Sequence, residues 1–327
     1  MKILIRLPNW LGDVVMSTAF IAGIKQLYPE AQIDVIIKKE LSAIVTLIPG
    51  LTQIYPFSKQ EFKGLAGVNR FGKNLRAEKY DIFFSLPDSI SSAVMGWATG
   101  AKQRVGYGKE GGFFLLTKVG KKPKNMHRVD EYLLLLEQFT GKAISDKQVK
   151  LNAGVSAANN KVLINFNSEA ESRRMPVDKG KRLLNLLTNT FTGITFAFIG
   201  SAKDAAFINL IINDAENIDR IENYTGKTDL VGLTRLMADA KVLLTTDSGP
   251  AHLANSVGTP VIALFGAGNE NNTAPYNKAF LTVLRAGKLS CEPCVRNTCK
   301  LYGIPKCMEL LDELEIVNAL RLYLKNA

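Results

Sequence analysis

Asp247-Ser248-Gly249-Pro250-Ala251-His252 joins a buried-type strand, Val242-Leu243-Leu244-Thr245-Thr246, to an apolar helix that opens near Pro250. A strand that turns through small residues into a helix presents unpaired backbone N–H groups and the positive end of a helix dipole, an arrangement suited to a phosphate. Ser248 or Asp247 can cap that helix, Gly249 permits a close backbone approach, and Pro250 suits a first helical position whose N–H would otherwise be orphaned. The same residues also fit a capped helix that binds nothing. Near the start of the chain, Ile3-Leu4-Ile5-Arg6-Leu7 reads as a strand and Pro8-Asn9-Trp10-Leu11-Gly12 as a loop. Asp13 then reads as the N-cap of a helix running to about Tyr28. In a parallel α/β sheet this loop lies at the carboxyl end of its strand, where ligands bind. A single glycine there is too few for the dinucleotide fingerprint, which argues against a nicotinamide or flavin cofactor. Asp13 is therefore either a plain helix cap or a carboxylate placed for chemistry.

The elements around these residues alternate. Strands are expected at Ile3 to Leu7, Ile33 to Ile37, Gln53 to Tyr55, Ile82 to Leu86 and Gln103 to Val105, with helical patterns between most of them. The pattern restarts at Lys161 to Phe166, Thr195 to Ile199, Ile221 to Tyr224, Val242 to Thr246 and Pro260 to Phe265. Two βαβ series imply two parallel-sheet domains, which suits 327 residues with 46% hydrophobic composition. The small polar residues 152–160 form the natural linker, and the expected domains are 1–157 and 158–327. No uninterrupted apolar run approaches the roughly 20 residues that span a bilayer. Arg6 and Asp13 interrupt the apolar start, and no small-residue cleavage site follows, so a cytoplasmic chain is expected.

Charge is unevenly shared. Residues 1–155 carry 22 Lys+Arg against 13 Asp+Glu, whereas the remainder carries 19 against 17, within a total of +11. The excess is densest at Lys118, Lys121, Lys122, Lys124 and Arg128. Such a field recruits nucleic acids, anionic membranes or phosphorylated substrates, although a basic loop also serves solubility alone. Nucleic acid is the weaker reading, because no binding motif or interleaved aromatic platform accompanies the charge. All four cysteines fall at Cys291-x2-Cys294-x4-Cys299-x7-Cys307. Four thiolates suit a structural zinc, with reduced thiols or a disulfide pair as the alternatives.

Four ordered motifs together resemble the ADP-heptose:lipopolysaccharide heptosyltransferases, with heptosyltransferase II as the nearest type. They are Arg6-Leu7-Pro8-Asn9-Trp10-Leu11-Gly12-Asp13, Arg173-Arg174-Met175-Pro176, Gly200-Ser201-Ala202-Lys203-Asp204, and Asp247-Ser248-Gly249-Pro250-Ala251-His252 followed by Leu264-Phe265-Gly266. The resemblance covers essentially the whole chain. It implies a GT-B glycosyltransferase, an α/β fold of two Rossmann-like doubly wound domains facing a central cleft, with a C-terminal helix able to pack back on the first domain. It further implies an inverting transfer of L-glycero-D-manno-heptose from ADP-heptose in the second domain to the anionic lipopolysaccharide inner core on the first. The enzyme would lie peripherally on the cytoplasmic face of the inner membrane and need no cofactor for catalysis.

Residue by residue, Asp13 matches the family's proposed base, which takes the acceptor hydroxyl proton. Ser248, Gly249 and their helix match the diphosphate site, where fixed donors and cations stabilise the leaving group. Arg173 stands where the family usually carries Lys, and keeps the charge with bidentate geometry; Met175 stands in place of the usual Trp. Asn167 and Ser168 fall at phosphate contacts, Lys227 and Thr228 near the adenine pocket, and Asp247 and His252 near sugar or diphosphate. His252 could equally be a helix residue tied to backbone. Lys121, Lys122 and Lys124 are the candidate acceptor contacts, and His127 has no motif support. The best-known heptosyltransferases lack the cysteine cluster, so catalysis should not need it. A nucleotide-sugar epimerase using the same pocket and a noncatalytic polyanion-binding protein are the competing readings.

Overall fold

The computed structural model describes residues 1–109, 111–154 and 159–324. The chain divides into two compact units, Met1–Asn152 and Ala153–Ala327. The boundary expected at 157 and 158 lies outside the described residues.

The first unit holds strands β1 (Lys2–Arg6), β2 (Gln32–Lys38), β3 (Gln53–Phe57), β4 (Ile82–Ser85), β5 (Gln103–Gly106) and β6 (Lys118–Val119). The second holds β7 (Lys161–Asn165), β8 (Thr195–Phe198), β9 (Ile221–Asn223), β10 (Val242–Thr246), β11 (Val261–Phe265) and β12 (Leu281–Arg285). Each unit is one six-stranded sheet, ordered β3-β2-β1-β4-β5-β6 and β12-β11-β10-β7-β8-β9. Every pairing is parallel. In both, the chain reverses direction across the sheet next to the unit's first strand, which opens a crevice at the carboxyl ends of the central strands. Helices cover both faces of such sheets, so the central strands read as continuous apolar runs. Ile3, Leu4 and Ile5 of β1 and all of β10 are buried accordingly. Pro56 sits in β3, an edge strand, where proline is tolerated.

The ten expected strands form with ends shifted by at most two residues, whereas β6 and β12 were not anticipated. β6 has two residues, both exposed, and carries no periodic signal. The helix expected from Asp13 to Tyr28 is instead two helices, Leu11–Met16 and Thr18–Leu27. The hydroxyls of Ser17 and Thr18 donate back to the carbonyls of Val14 (2.7 Å) and Val15 (2.8 Å), offering the chain an alternative to the helical ladder. Trp10 occupies the N-cap position, so Asp13 is a first-turn residue and not the cap.

The first core packs Leu4, Ile36, Phe57, Phe71 and Phe83, with the Phe57 and Phe71 rings edge-on at 5.0 Å. The second packs Ile164, Phe166, Phe196, Phe198 and Leu244 together with Ile316, Val317 and Leu320 of the last helix, Glu313–Leu324. The buried face of that helix thus belongs to the second unit's core. Truncating a buried ring such as Phe83 or Phe196 to Ala would cost about 3–5 kcal/mol. No helix among the described residues is long and apolar enough to cross a membrane.

Candidate active site

At the carboxyl edge of the second sheet, β10 ends at Thr246 and the helix Gly249–Ser256 begins after two residues. Ser248 takes the N-cap position, but its hydroxyl does not cap. It accepts from Asn165 Nδ2 at 2.8 Å and donates to the Thr246 carbonyl at 3.1 Å. Asn165 also donates to Thr245 Oγ1 (3.0 Å) and to the Asn167 carbonyl (3.2 Å), which Thr246 Oγ1 shares at 2.9 Å. A buried polar web therefore fixes the ends of β7 and β10 and draws the serine away from the helix. The first-turn N–H groups keep no side-chain cap, and Pro250 contributes none, which leaves a positive helix end open to an anion.

Arg173 and Asp247 face one another across this edge, Nη1 to Oδ2 at 3.0 Å. Burial pushes the Asp247 carboxyl up to about 6, opposed by the Arg173 and Arg285 guanidinium groups. Gly268 is required here, because a Cβ at that position would lie 1.9 Å from Asp247 Oδ2. Arg285 fixes the same loop by donating to the carbonyls of Gly266 and Gly268, both at 2.5 Å, while pairing with Glu270 and Glu292. Among the described residues, Asn167 Oδ1, Arg173 Nε and Thr225 Oγ1 are buried without a hydrogen-bond partner. Orphaned buried donors and acceptors are uncommon, and several around one strand edge mark a place built for a polar ligand.

The carboxyl edge of the first sheet works through side chains. Asp13 Oδ1 lies 3.5 Å from Arg128 Nε, Arg128 Nη1 lies 2.7 Å from Glu131, and Lys122 bridges Glu131 (3.2 Å) and Asp88 (2.7 Å). Asp13 remains about a quarter exposed at the side chain. Burial raises its pKa above the ordinary carboxylate value; Arg128 and Lys122 oppose this and Glu131 adds to it. A carboxylate of raised basicity, open on one side and held beside a cation, is suited to accept a proton from a hydroxyl. Arg6 is buried beneath the loop, donating to the Leu7 carbonyl and to Asn9 Oδ1, both at 2.5 Å, and so holds the turn that carries Trp10 and Asp13.

Asn167, Ser168, Arg173, Asp247, Ser248 and Gly249 thus gather on one edge of the second sheet, with His252 buried on the helix behind them. Met175 is buried in that unit's core. Lys227 is exposed and Thr228 partly so, beyond β9, where Gly226 N donates to the Gly200 carbonyl at 2.9 Å. Lys121 and Lys124 are exposed, whereas Lys122 is committed to its two carboxylates. His127 caps the helix Arg128–Thr140, its Nδ1 accepting from Val129 N at 3.2 Å. The four cysteines are free thiols, and among the described residues no group of three or more His, Cys, Asp or Glu side chains is arranged to hold a metal. Zinc is one of three readings of these cysteines, and no step below depends on it. The cysteine-bearing segment instead straps the site: Ser172 N donates to the Asn297 carbonyl (3.0 Å) and Val295 N to that of Ala267 (2.8 Å). Glu131, Asp88, Arg285 and Gly268 escaped sequence reading, and Arg128 stands out there only as part of the basic run, not as the partner of Asp13. Arg128 and Glu131 stand three apart on one helix, a spacing that pairs charges and was a usable signal.

The model of glycosyltransferase family 9 (heptosyltransferase) matches residues 68–304. The chain belongs to that family. It is a glycosyltransferase. It is similar to the lipooligosaccharide heptosyltransferase 2 of Haemophilus ducreyi, 29% identical over 307 residues, covering 85% of this chain and 87% of that protein. Its fold matches the E. coli ADP-heptose lps heptosyltransferase II at a TM-score of 0.83 and 23% identity, over 100% of this chain and 99% of that one. It matches a Veillonella parvula glycosyl transferase of family 9 at a TM-score of 0.87 and 22% identity, over 100% and 98%. The glycosyltransferase has the α/β GT-B fold, and each of its sheets is one Rossmann-like unit.

Proposed function

We propose that this enzyme transfers L-glycero-D-manno-heptose from ADP-heptose, with inversion, to a heptose of the lipopolysaccharide inner core. The observation that carries the donor half is the second-sheet edge: an uncapped helix N-terminus beside Arg173, with orphaned buried polar atoms on Asn167 and Arg173. These groups suit a diphosphate. Family membership and the relatives' heptosyltransferase names support the sugar and the acceptor.

In this reading Asp13 accepts the acceptor hydroxyl proton as that oxygen bonds to the anomeric carbon. The anomeric bond to ADP breaks from the opposite side, and its electron pair leaves on the diphosphate. Arg173 and the first-turn N–H groups of Gly249–Ser256 stabilise that charge where it develops. Lys121 and Lys124 contact the anionic core, Lys227 and Thr228 border the nucleoside, and the enzyme works peripherally on the cytoplasmic face of the inner membrane. The test supplies ADP-heptose with defined truncated core acceptors and follows product mass and ADP release. One added heptose with one ADP is expected. Free epimerised sugar nucleotide, or no turnover with any heptose-bearing acceptor, would overturn the assignment.

A further inference from the structure

The carboxyl edge of the first sheet carries one feature that heptose transfer does not use. Phe113, Phe114 and Val119 are 43%, 81% and 52% exposed, although aromatic and branched side chains ordinarily go inside. The two rings lie against each other at 4.0 Å. Phe113 and Val119 flank Gly108, where a Cβ would stand 2.8 Å from Phe113 Cβ and 3.2 Å from Val119 Cγ1. The turn that bears them is anchored from below. Gly112 is buried, and a Cβ on it would meet Ala93 of the helix Ile90–Ala98 at 3.1 Å; Gly112 N donates to the Lys109 carbonyl (3.0 Å) and Leu116 N to that of Phe113 (3.2 Å). The rings are thus held outward by a fixed backbone.

Exposed lysines flank the patch along the chain. Lys109 belongs to the same turn, and Lys118 precedes Val119 on the edge strand β6; both are exposed. The Lys121 backbone is clamped on both sides by Gln138, at 2.7 and 3.0 Å, and its residue is exposed. Between residues 109 and 124 the sequence has five lysines and one acid, Glu110, which lies outside the described residues. An exposed apolar tip on a lysine-rich segment matches an anionic bilayer surface. Aromatic rings settle at headgroup depth while lysines meet lipid phosphates.

We propose that Phe113, Phe114 and Val119, with Lys109 and Lys118, dock this enzyme on an anionic phospholipid surface. The inference rests on the proposed transfer to a lipid-borne acceptor and assigns the residues that bring the protein to it. Its placement fits that task, because the ion pairs from Lys122 through Glu131 and Arg128 to Asp13 run from the basic segment to the base along the same sheet edge.

The test is binding of the full chain to phosphatidylglycerol–phosphatidylcholine vesicles, without donor or acceptor, against vesicles of phosphatidylcholine alone. Binding to the anionic vesicles should exceed binding to the neutral ones and weaken with salt. Phe114→Ser should lower partitioning about tenfold, the scale of one ring's apolar burial, and Lys118→Ala roughly fivefold. Thermal melting and turnover on a soluble, deacylated acceptor should stay at the parent level for both variants. Parent protein that ignores anionic vesicles, or Phe114→Ser that binds like the parent, would overturn the docking surface while leaving heptose transfer intact. Loss of soluble-acceptor turnover in Phe114→Ser would make the patch an acceptor subsite, and self-association abolished by that change would make it a contact between copies. Either result also overturns the proposal. Failure of the parent to transfer heptose to the soluble acceptor would remove the functional reading instead, whatever the vesicles show.

Discussion

The two sheets repeat one strand order and open their crevices at the same topological point, next to β1 in one unit and β7 in the other. Their edges nevertheless carry different chemistry. The first edge is made of charged side chains that hold one another, from Asp13 through Arg128 and Glu131 to Lys122 and Asp88. The second is made largely of backbone: an uncapped helix end, the Gly266 to Gly268 loop tied down by Arg285, and strand ends locked by Asn165. Burial keeps the Asp13 carboxylate basic while its paired network holds it in place, whereas an open helix end awaits a ligand's negative charge. The fold provides the crevice twice, and the loops decide what each crevice does.

The sharpest way to break this contrast is Asp13→Asn. The residue lies in the first helical turn but does not cap it, so Asn keeps the shape while losing the ability to take a proton and the charge that faces Arg128. Turnover should fall roughly 10²- to 10⁴-fold, the usual range for a general base, with ADP affinity and melting temperature near the parent. In the parent, the raised Asp13 pKa should place the acid limb of the rate profile above the ordinary carboxylate range, since the base works only when ionised. Turnover of the variant within about threefold of the parent would reduce the first edge to a structural ion-pair network.

The second edge is tested by Arg173→Ala. ADP affinity measured by calorimetry should drop by about 1.5–3 kcal/mol, the scale of a hydrogen bond to a charged group. Unchanged affinity would mean that the diphosphate lies elsewhere. The variant should also bind soluble acceptor as the parent does, because the first edge is untouched.

Much of this was legible in the sequence. Central strands such as β1 and β10 announce themselves as buried apolar runs, and the residues after them are fixed by topology, so Asp13 and Asp247 could be placed at strand ends before any coordinates. The hydroxyl of Ser248 could not be. Ser, Asp and Asn serve helices or strands with equal local credentials, and Asn165, which decides the matter, is 83 positions away. Arg285 was hidden for a related reason: it ends β12, whose five residues are mostly half-buried and show no clean alternation. Lys122 looked like its neighbours because charge in a sequence does not reveal which ammonium already has partners.

That last point separates the lysines. Lys121→Ala with Lys124→Ala should weaken use of an anionic acceptor by a few-fold and flatten its salt dependence, as expected for exposed charges within a Debye length of the ligand. Lys122→Ala should instead raise Glu131's burden on Arg128 and shift the acid limb of the rate profile, a readout that a simple docking cation would not move. Equal salt effects from all three lysines, with no change in the pH profile, would mean that the Lys122 ion pairs do not reach Asp13.

The smallest expected effect is a proton. Burial holds the Asp247 pKa at about 6, against an ordinary value near 3.8, so the folded protein retains a proton there that the unfolded chain has released. This group therefore favours folding at acid pH, and that contribution is lost as pH rises through 6. Arg173 is the principal cation that limits the shift. A diphosphate that engages Arg173 would draw that charge away and add negative charge of its own, both of which raise the Asp247 pKa further. ADP binding at about pH 6.5 should then take up roughly half a proton more in the parent than in Asp247→Asn, as calorimetry in buffers of different ionisation enthalpy would read. Comparing the two proteins cancels the titration of ADP itself. The difference should vanish well above pH 7, where Asp247 is ionised in both states. No difference at about pH 6.5 would show that the diphosphate does not meet the Arg173 and Asp247 pair, and the contrast between the two edges would have to be redrawn around the helix end alone.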